Sequence, residues 1–264
     1  MTTIAGRWRN MTKESPAISV VVVAARSFAS LRRTVDSISR QTIADRIELI
    51  VVAPETGAAE EARGYGQFHS VQIVAIGPIA NVDHAAASGL LRARAEVASS
   101  IEDHAFPDPE WAERVLDAWD EDYDAVGTVV DNANPESPLS WMNILIAYQA
   151  WRPGTPAGEI SLVPAHNVSY RRAALEPFSN NLPPLMGREG LLFKELKLRG
   201  GRFRFVPSAR VTHVNPSTLK SSAALRFDAG RLYGARRANE GNWSALKRWA
   251  FAATSPLIPF IRYA

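Results

Sequence analysis

The 264-residue sequence contains no cysteine. That excludes disulfides and zinc–thiolate centres, and it suits a reducing compartment. It also lacks an apolar run of the roughly 20 residues needed to cross a bilayer. The run at residues 18–25 has the composition of a strand, and the one at 250–261 is interrupted by Thr254, Ser255, Pro256 and Pro259. No apolar core follows the early arginines, so the N-terminal stretch does not have the layout of a secretion signal. There is no glycine in Ala24-Ala25-Arg26-Ser27, where a dinucleotide-binding turn needs several for close backbone approach to a pyrophosphate. A Gly-x-Ser-x-Gly elbow is absent, which argues against a serine hydrolase. So is a glycine-rich loop bearing Arg and Lys after the first strand, which argues against a nucleotidyltransferase. Internal repeats and low-complexity tracts are missing as well.

What remains is ordinary globular material, 46% hydrophobic and 22% charged, enough for one elaborated α/β domain or a core with a small extension. The formal net charge of +3 is modest, but its placement is uneven. Gly6-Arg7-Trp8-Arg9 is basic and aromatic. The tail carries Arg226, Arg231, Arg236, Arg237, Lys247, Arg248 and Arg262 against Asp228 and Glu240. Basic ends fit either a solvated face or an anionic surface such as lipid headgroups.

Along the chain, residues 1–16 read as a polar lead-in. Residues 18–24 form a β-branched run of buried-strand type. Leu31, Val35 and Ile38 recur at helical spacing. Further strands are expected at 47–52, 71–76 and 97–101, with a helix over 85–95. Strand and helix thus alternate, as in a parallel sheet covered on both faces. A helix opens at Asp108-Pro109, with Asp108 as N-cap. A fifth strand follows at 124–130, a helix stripe at Trp141, Ile144, Leu145 and Tyr148, a strand near 160–163, a helix over 191–198 and two short strands at 202–206 and 209–213.

Chemistry concentrates in two segments. Glu102-Asp103-His104 follows the C-terminal end of a predicted parallel strand, where open α/β sheets bind ligands. Two carboxylates and an imidazole suit Mn²⁺ or a similar ion better than an all-oxygen site would. A solvated acidic turn is the plainer alternative. The second segment is Gly187-Arg188-Glu189-Gly190, followed after a helix by Val211-Thr212-His213. By itself, Glu189 reads as a first-turn glutamate favoured by the helix dipole, and His213 as a structural histidine.

Ile101-Glu102-Asp103-His104, with Pro107, Pro109 and Trp111 in register, resembles the strand-end motif of family 2 glycosyltransferases. Other segments resemble that family too. They are residues 19–26, the helix ending Arg40-Gln41-Thr42, residues 47–52, Gly89 with residues 93–96, and His166-Asn167 through Arg171-Arg172. The likeness spans about residues 17–215.

The resemblance implies a GT-A fold, α/β with a mostly parallel central sheet and helices on both faces. The residues before it form a lead-in, and 216–264 a basic, aromatic helical extension. It implies transfer of a sugar from a nucleotide sugar to an acceptor hydroxyl, with inversion, assisted by Mn²⁺ or Mg²⁺, in glycoconjugate or polysaccharide synthesis. Carried over by position, Glu102 and Asp103 contact the nucleotide, along with Ala24, Ala25 and Arg26 at the first strand's end. His104 and His213 hold the metal. Glu189 is the general base, and Asn167, Arg171 and Arg172 lie on the acceptor or diphosphate side.

The acid that reads the nucleobase in the family is replaced here by Ala53, with Glu55 the candidate substitute. A nucleotide-reaching arginine is replaced by Ala86. These departures leave open a degenerate domain that acts as a scaffold without turnover. The acceptor is expected to be a glycan, a lipid-linked molecule or another hydroxyl compound, and no nucleic acid is expected. Residues 222–264, which mix Leu225, Leu232, Tyr233, Trp243, Leu246 and Trp249 with basic residues, suggest an interfacial or oligomer-forming element. The expected location is cytoplasmic, at or near the inner face of a membrane.

Overall fold

The structure, a computed structural model, describes residues 8–12, 14–25, 27–119, 123–187 and 190–255. The described chain divides into two compact units, one drawn from 1–136 and 140–215, the other from 137–139 and 216–264.

The larger unit is built on a nine-stranded sheet among the described residues. Its strands are β1 (Ile18–Val23), β2 (Ile47–Ala53), β3 (Ser70–Ala75), β4 (Val97–Ser100), β5 (Ala105–Pro107), β6 (Ala125–Asn132), β7 (Gly158–Ile160), β8 (Val168–Arg171) and β9 (Phe203–His213). The spatial order is β3-β2-β1-β4-β8-β6-β9-β5, with β7 also on β9. The helices, in chain order, are α1 (Phe28–Ser39), α2 (Val82–Leu90), α3 (Trp111–Asp117), α4 (Pro138–Tyr148), α5 (Arg172–Leu175), α6 (Leu182–Met186), α7 (Leu191–Leu198), α8 (Leu219–Glu240) and α9 (Ala245–Thr254).

Every residue of β1 and β2 is buried, as expected of strands covered on both faces. One face packs against Phe28, Leu31, Val35 and Ile38 of α1 and Trp111 and Val115 of α3. The other packs against Ala85, Ala86 and Leu90 of α2 and Leu192, Phe193 and Leu196 of α7. Helix α2 lies so close that a Cβ on Gly89 would stand 2.4 Å from Val21 Cγ1 and 2.8 Å from Val52 Cγ2. Only glycine fits there, which accounts for this position in the sequence pattern.

The sheet is parallel through β3-β2-β1-β4, as alternation of strand and helix predicts. Beyond β4 it becomes mixed. β8 runs antiparallel to both β4 and β6, and β5 and β7 run antiparallel to β9, while β6 and β9 are parallel. The chain moves outward from β1 to β3 and returns to β4 on the other side of β1. The C-terminal ends of β1 and β4 therefore flank a topological switch point, the crevice where such sheets receive ligands.

Two local expectations are corrected. Helix α3 starts at Trp111 with Glu110 at its N-cap, not at Asp108. The Asp108–Pro109 turn is held instead by Gln41, whose amide donates to the Asp108 carbonyl (2.7 Å) and accepts from Ala112 N–H (2.9 Å). Residues 203–213 form one strand, β9, rather than two. Its register against β6 jumps from Val206 to Arg210 between Thr128 and Val129. The skipped residues begin at Pro207, which has no N–H to give to a ladder.

In the smaller unit, α8 opens with a capping box in which Thr218 and Ser221 serve each other's orphan groups. Ser244 caps α9. Trp243 and Phe251 meet at 4.3 Å between ring centroids, with the Arg237 guanidinium over both rings. Phe227, Leu232, Tyr233, Leu246 and Trp249 are exposed. No helix among the described residues is long and apolar enough to cross a membrane.

Candidate active site at the switch point

The Glu102–His104 turn leaves β4 at the crevice and is tied down from three sides. Ile101 N–H reaches Val21 O on β1 (3.0 Å). Thr34 Oγ1 of α1 donates to Asp103 O (2.8 Å). Val214 N–H donates to His104 O (3.0 Å), and β5 then pairs with β9 so that Ala105 faces His213. This short antiparallel ladder brings together two histidines more than a hundred positions apart, with ring centroids 4.5 Å apart.

Glu102, His104 and His213 each present one ligand atom, and these atoms lie within 4.8 Å of one another. Glu102 Oε2 accepts from Tyr148 Oη at 2.9 Å and Asn167 Nδ2 at 2.7 Å, and lies 3.1 Å from His213 Nε2. Each histidine is oriented through its other nitrogen. His104 Nδ1 is 2.6 Å from Asp103 Oδ1, and His213 Nδ1 is 3.1 Å from Asn215 Oδ1. The Asn215 amide nitrogen donates to Asn132 Oδ1 and to the His213 carbonyl, which fixes Oδ1 as the acceptor. Nδ1–H donation leaves Nε2 of each ring as the ligand atom, with His213 Nε2 facing Glu102, the usual outer-partner arrangement for metal-binding histidines. One carboxylate oxygen and two imidazole nitrogens at this spacing fit a borderline divalent ion such as Mn²⁺.

The electrostatics match this donor set. Burial raises the Glu102 carboxyl, but the charges of His166, His213 and His104 and the His213 hydrogen bond outweigh it and hold the group well below the usual carboxylate range. Burial lowers His104, but its hydrogen bond to Asp103 and the nearby charges of Glu102 and Asp103 raise it above the ordinary imidazole value. In the metal-free protein, the His104 contribution to stability is present below the unfolded value of about 6.5 and is lost as pH rises through the higher folded value. A metal needs the neutral ring, so its binding runs the other way. Mn²⁺ affinity, measured by calorimetric titration, should fall about tenfold per pH unit as His104 takes up its proton. The fall should begin above pH 6.5 or so. An affinity flat from about pH 8 to 6 would contradict the assignment.

The other expected residues fall as follows. Ala24 and Ala25 lie at the C-terminal end of β1, on the same sheet edge as Glu102; Ala24 is fully buried and bonded to Val52 O. Glu55 is exposed just beyond β2 on that edge. Arg26, Arg188 and Glu189 lie outside the described residues.

Glu102, expected at the nucleotide, groups with the two histidines instead. Asp103 turns its carboxylate onto His104. Asn167, expected on the acceptor side, is fully buried and clamps Glu102. Its Oδ1 accepts the Glu102 N–H at 3.1 Å while its Nδ2 holds the carboxylate. Its φ of 55° is left-handed, unusual for a residue with a Cβ.

Arg171 and Arg172 are not at the site. β8 runs antiparallel to β4, so Val168 faces Ser100 while Arg171 faces Val97, three residues or about 10 Å further from the crevice. There Arg171 Nε donates to Tyr123 O and Arg172 pairs with Glu176 at 2.8 Å. Sequence reasoning missed Tyr148, which sits in an apolar helical stripe, and the Asn132–Asn134–Asn215 network. It also missed His166, which pairs with Asp83 at 3.3 Å.

Similar folds occur among solved glycosyltransferases. The mannosyltransferase PcManGT from Pyrobaculum calidifontis, solved with GDP-Man and Mn²⁺, aligns with a TM-score of 0.62 at 17% identity, covering 91% of this chain and 70% of that one. Residues 1–349 of TarS from S. aureus align at 0.54 and 13% identity, over 75% of this chain and 60% of that one. GalNAc-T7, solved with UDP, GalNAc and Mn²⁺, aligns at 0.55 and 15%, over 77% of this chain and 44% of the other. These likenesses establish a GT-A fold. No curated protein matches the chain in sequence. The pattern of glycosyl transferase family 2 matches residues 19–178, more than half of the sequence, and the chain therefore belongs to that family.

Proposed function

We propose that this protein transfers a sugar from a nucleotide sugar to an acceptor oxygen, with a divalent ion held by Glu102, His104 and His213. The observation that carries this reading is the convergence of those three ligand atoms at the β1/β4 switch point. When bound, the ion masks the charge of the departing diphosphate. The bond from the anomeric carbon to the diphosphate breaks, a bond to the acceptor oxygen forms, and the acceptor proton passes to a base, for which Glu189 is the candidate. Asp103 and Asn215 keep the two imidazoles in the tautomer that ligation requires, and Asn167 and Tyr148 hold the carboxylate between them.

Attack opposite the leaving group inverts the anomeric centre. Relatives of the fold have been solved with GDP-Man, UDP and UDP-GlcNAc, which supports a nucleoside diphosphate sugar as donor. Ala53 and Ala86 are buried and apolar, so neither side chain reads the nucleobase, and exposed Glu55 on the same edge is our candidate for that contact. We place the acceptor among glycans and lipid-linked or other hydroxyl compounds in glycoconjugate synthesis. The exposed Leu246 and Trp249 of the C-terminal helices are the candidates for a membrane-surface or self-association contact.

The loss of the nucleobase acid favours one competing reading, a non-catalytic scaffold. Calorimetric titration with UDP and with GDP, with and without Mn²⁺, separates the two. The transferase reading expects at least one nucleotide to bind about tenfold or more tighter with Mn²⁺. Absence of metal-dependent binding for both would favour the scaffold.

A further inference from the structure

Asp83 and His166 have no part in the metal-ligand set, yet the fold brings them to its edge. Only residues 76–81 separate the end of β3 from α2, so α2 begins at the crevice end of the sheet, with Asp83 in its first turn. Asn81 Oδ1 caps that turn, accepting from Asp83 N–H at 2.9 Å and His84 N–H at 3.0 Å. His166 lies just before Val168, which faces Ser100 at the C-terminal end of β4. His166 Nδ1 is 3.3 Å from Asp83 Oδ1, so the pair joins α2 to the segment entering β8. The two side chains are 37 and 28% exposed, which leaves both within reach of a ligand. Between them and the ion, Asn167 is fully buried and bonded twice to Glu102, which fixes the backbone that carries His166. After burial, the charge of His166 is the largest influence on the Glu102 carboxyl, and it acts on His104 too. The ring thus stands close to the metal group without being one of its three ligands.

The order of strands says which part of a donor would meet this pair. Along the crevice the sheet runs β2, β1, β4, β8. With the nucleoside over the ends of β2 and β1, near Glu55, Ala24 and Ala25, the diphosphate falls at the ion beyond β4. The sugar hangs from the far end of the diphosphate, and the next element in that direction is the start of β8 with His166. The chemistry of the pair agrees with this position. An ionised Asp83 has only acceptor oxygens, which repel a phosphate but suit a hydroxyl, whereas an imidazole offers hydrogen bonds of its own. Adjacent hydroxyls on a sugar ring, each both donor and acceptor, match that combination.

We propose that Asp83 and His166 hold the sugar of the donor by hydrogen bonds to neighbouring ring hydroxyls, an assignment that rests on the transferase reading. The pair thereby sets which sugar is accepted and how its anomeric carbon is presented. It does not read the nucleoside or bind the ion.

The test is calorimetric titration of the full chain, with saturating Mn²⁺, using UDP and UDP-GlcNAc, and GDP and GDP-mannose. The affinity of each sugar nucleotide relative to its nucleoside diphosphate isolates the contribution of the sugar. In the sugar nucleotide that the parent binds better, Asp83→Ala and His166→Ala should each lower that ratio about tenfold, the effect of one hydrogen bond to a polar or charged group. Binding of UDP and GDP themselves should stay within about twofold of the parent. Asp83→Asn, which keeps an oxygen acceptor in place, should lose less than Asp83→Ala. Thermal unfolding of each variant checks its fold, and a purely structural role would not separate sugar nucleotide from nucleoside diphosphate. The assignment is overturned if the ratio is unchanged in the folded variants, or if UDP and GDP binding fall in step with the sugar nucleotides. Parent binding of the probes with unchanged ratios sinks this assignment alone, whereas a parent that binds none of them with Mn²⁺ sinks the transferase reading and this one with it.

Discussion

Replacing Glu102 with glutamine is expected to weaken Mn²⁺ binding by at least about 100-fold and to remove the metal dependence of nucleotide binding, while leaving the fold intact. The substitution is close to isosteric, and its amide oxygen can still accept from Tyr148 and Asn167. What it removes is the negative charge that faces two imidazoles in a partly buried crevice, and that charge is what a divalent ion needs there. Substitutions of outer partners in metal sites typically cost about 10–100-fold in affinity, so loss of a ligand itself should exceed that range. Thermal unfolding of the metal-free variant, run beside the titration, separates a damaged site from a damaged fold. Parent-like Mn²⁺ affinity in a folded Glu102→Gln protein would show that the ion, if any, binds elsewhere.

Asn167 should matter nearly as much, although its role is to hold the ligand Glu102 rather than to bind the ion itself. It is fully buried, left-handed at φ 55°, and bonded to both the backbone N–H and the carboxylate of Glu102. Asn167→Gly keeps that backbone conformation cheap but removes both bonds, which should cost about 2–3 kcal/mol because one of them serves a charged group. Asn167→Ala loses the same bonds and adds the left-handed penalty of about 1–2 kcal/mol. Chemical denaturation should therefore order stability as parent, then glycine, then alanine. Both variants should lose about 10–100-fold in Mn²⁺ affinity, because the carboxylate is no longer aimed. If the glycine variant is less stable yet binds Mn²⁺ like the parent, Asn167 serves the fold alone.

The parts legible in the sequence were those with a strong local signal. β1 and β2 are continuous β-branched runs because both of their faces are covered, and α7 falls where its apolar spacing puts it. The antiparallel half was harder to read. β5 has three residues and β8 only four, too short for any periodicity to stand out, and their positions are set by pairing with distant β9 and β4. That gap explains the misplacement of Arg171 and Arg172, whose spacing from Asn167 says nothing about which way the strand runs.

At the site, Glu102, His104 and His213 could be found because ligand chemistry demands particular residue types. Their supports could not. Tyr148 looks like one more apolar position on a helix, and Asn132, Asn134 and Asn215 look like loop residues. Only the fold shows that they are the acceptors and donors that fix the ligands.

The central claim is that one divalent ion binds between Glu102, His104 and His213 at the end of β4. Anomalous diffraction at the manganese edge, from crystals soaked with Mn²⁺ and a nucleoside diphosphate, tests it directly. The expected result is one strong peak about 2.0–2.3 Å from a Glu102 oxygen and from Nε2 of both histidines, with the diphosphate completing the coordination. A peak elsewhere with this group unliganded, or no peak when the nucleotide is visibly bound, would contradict it.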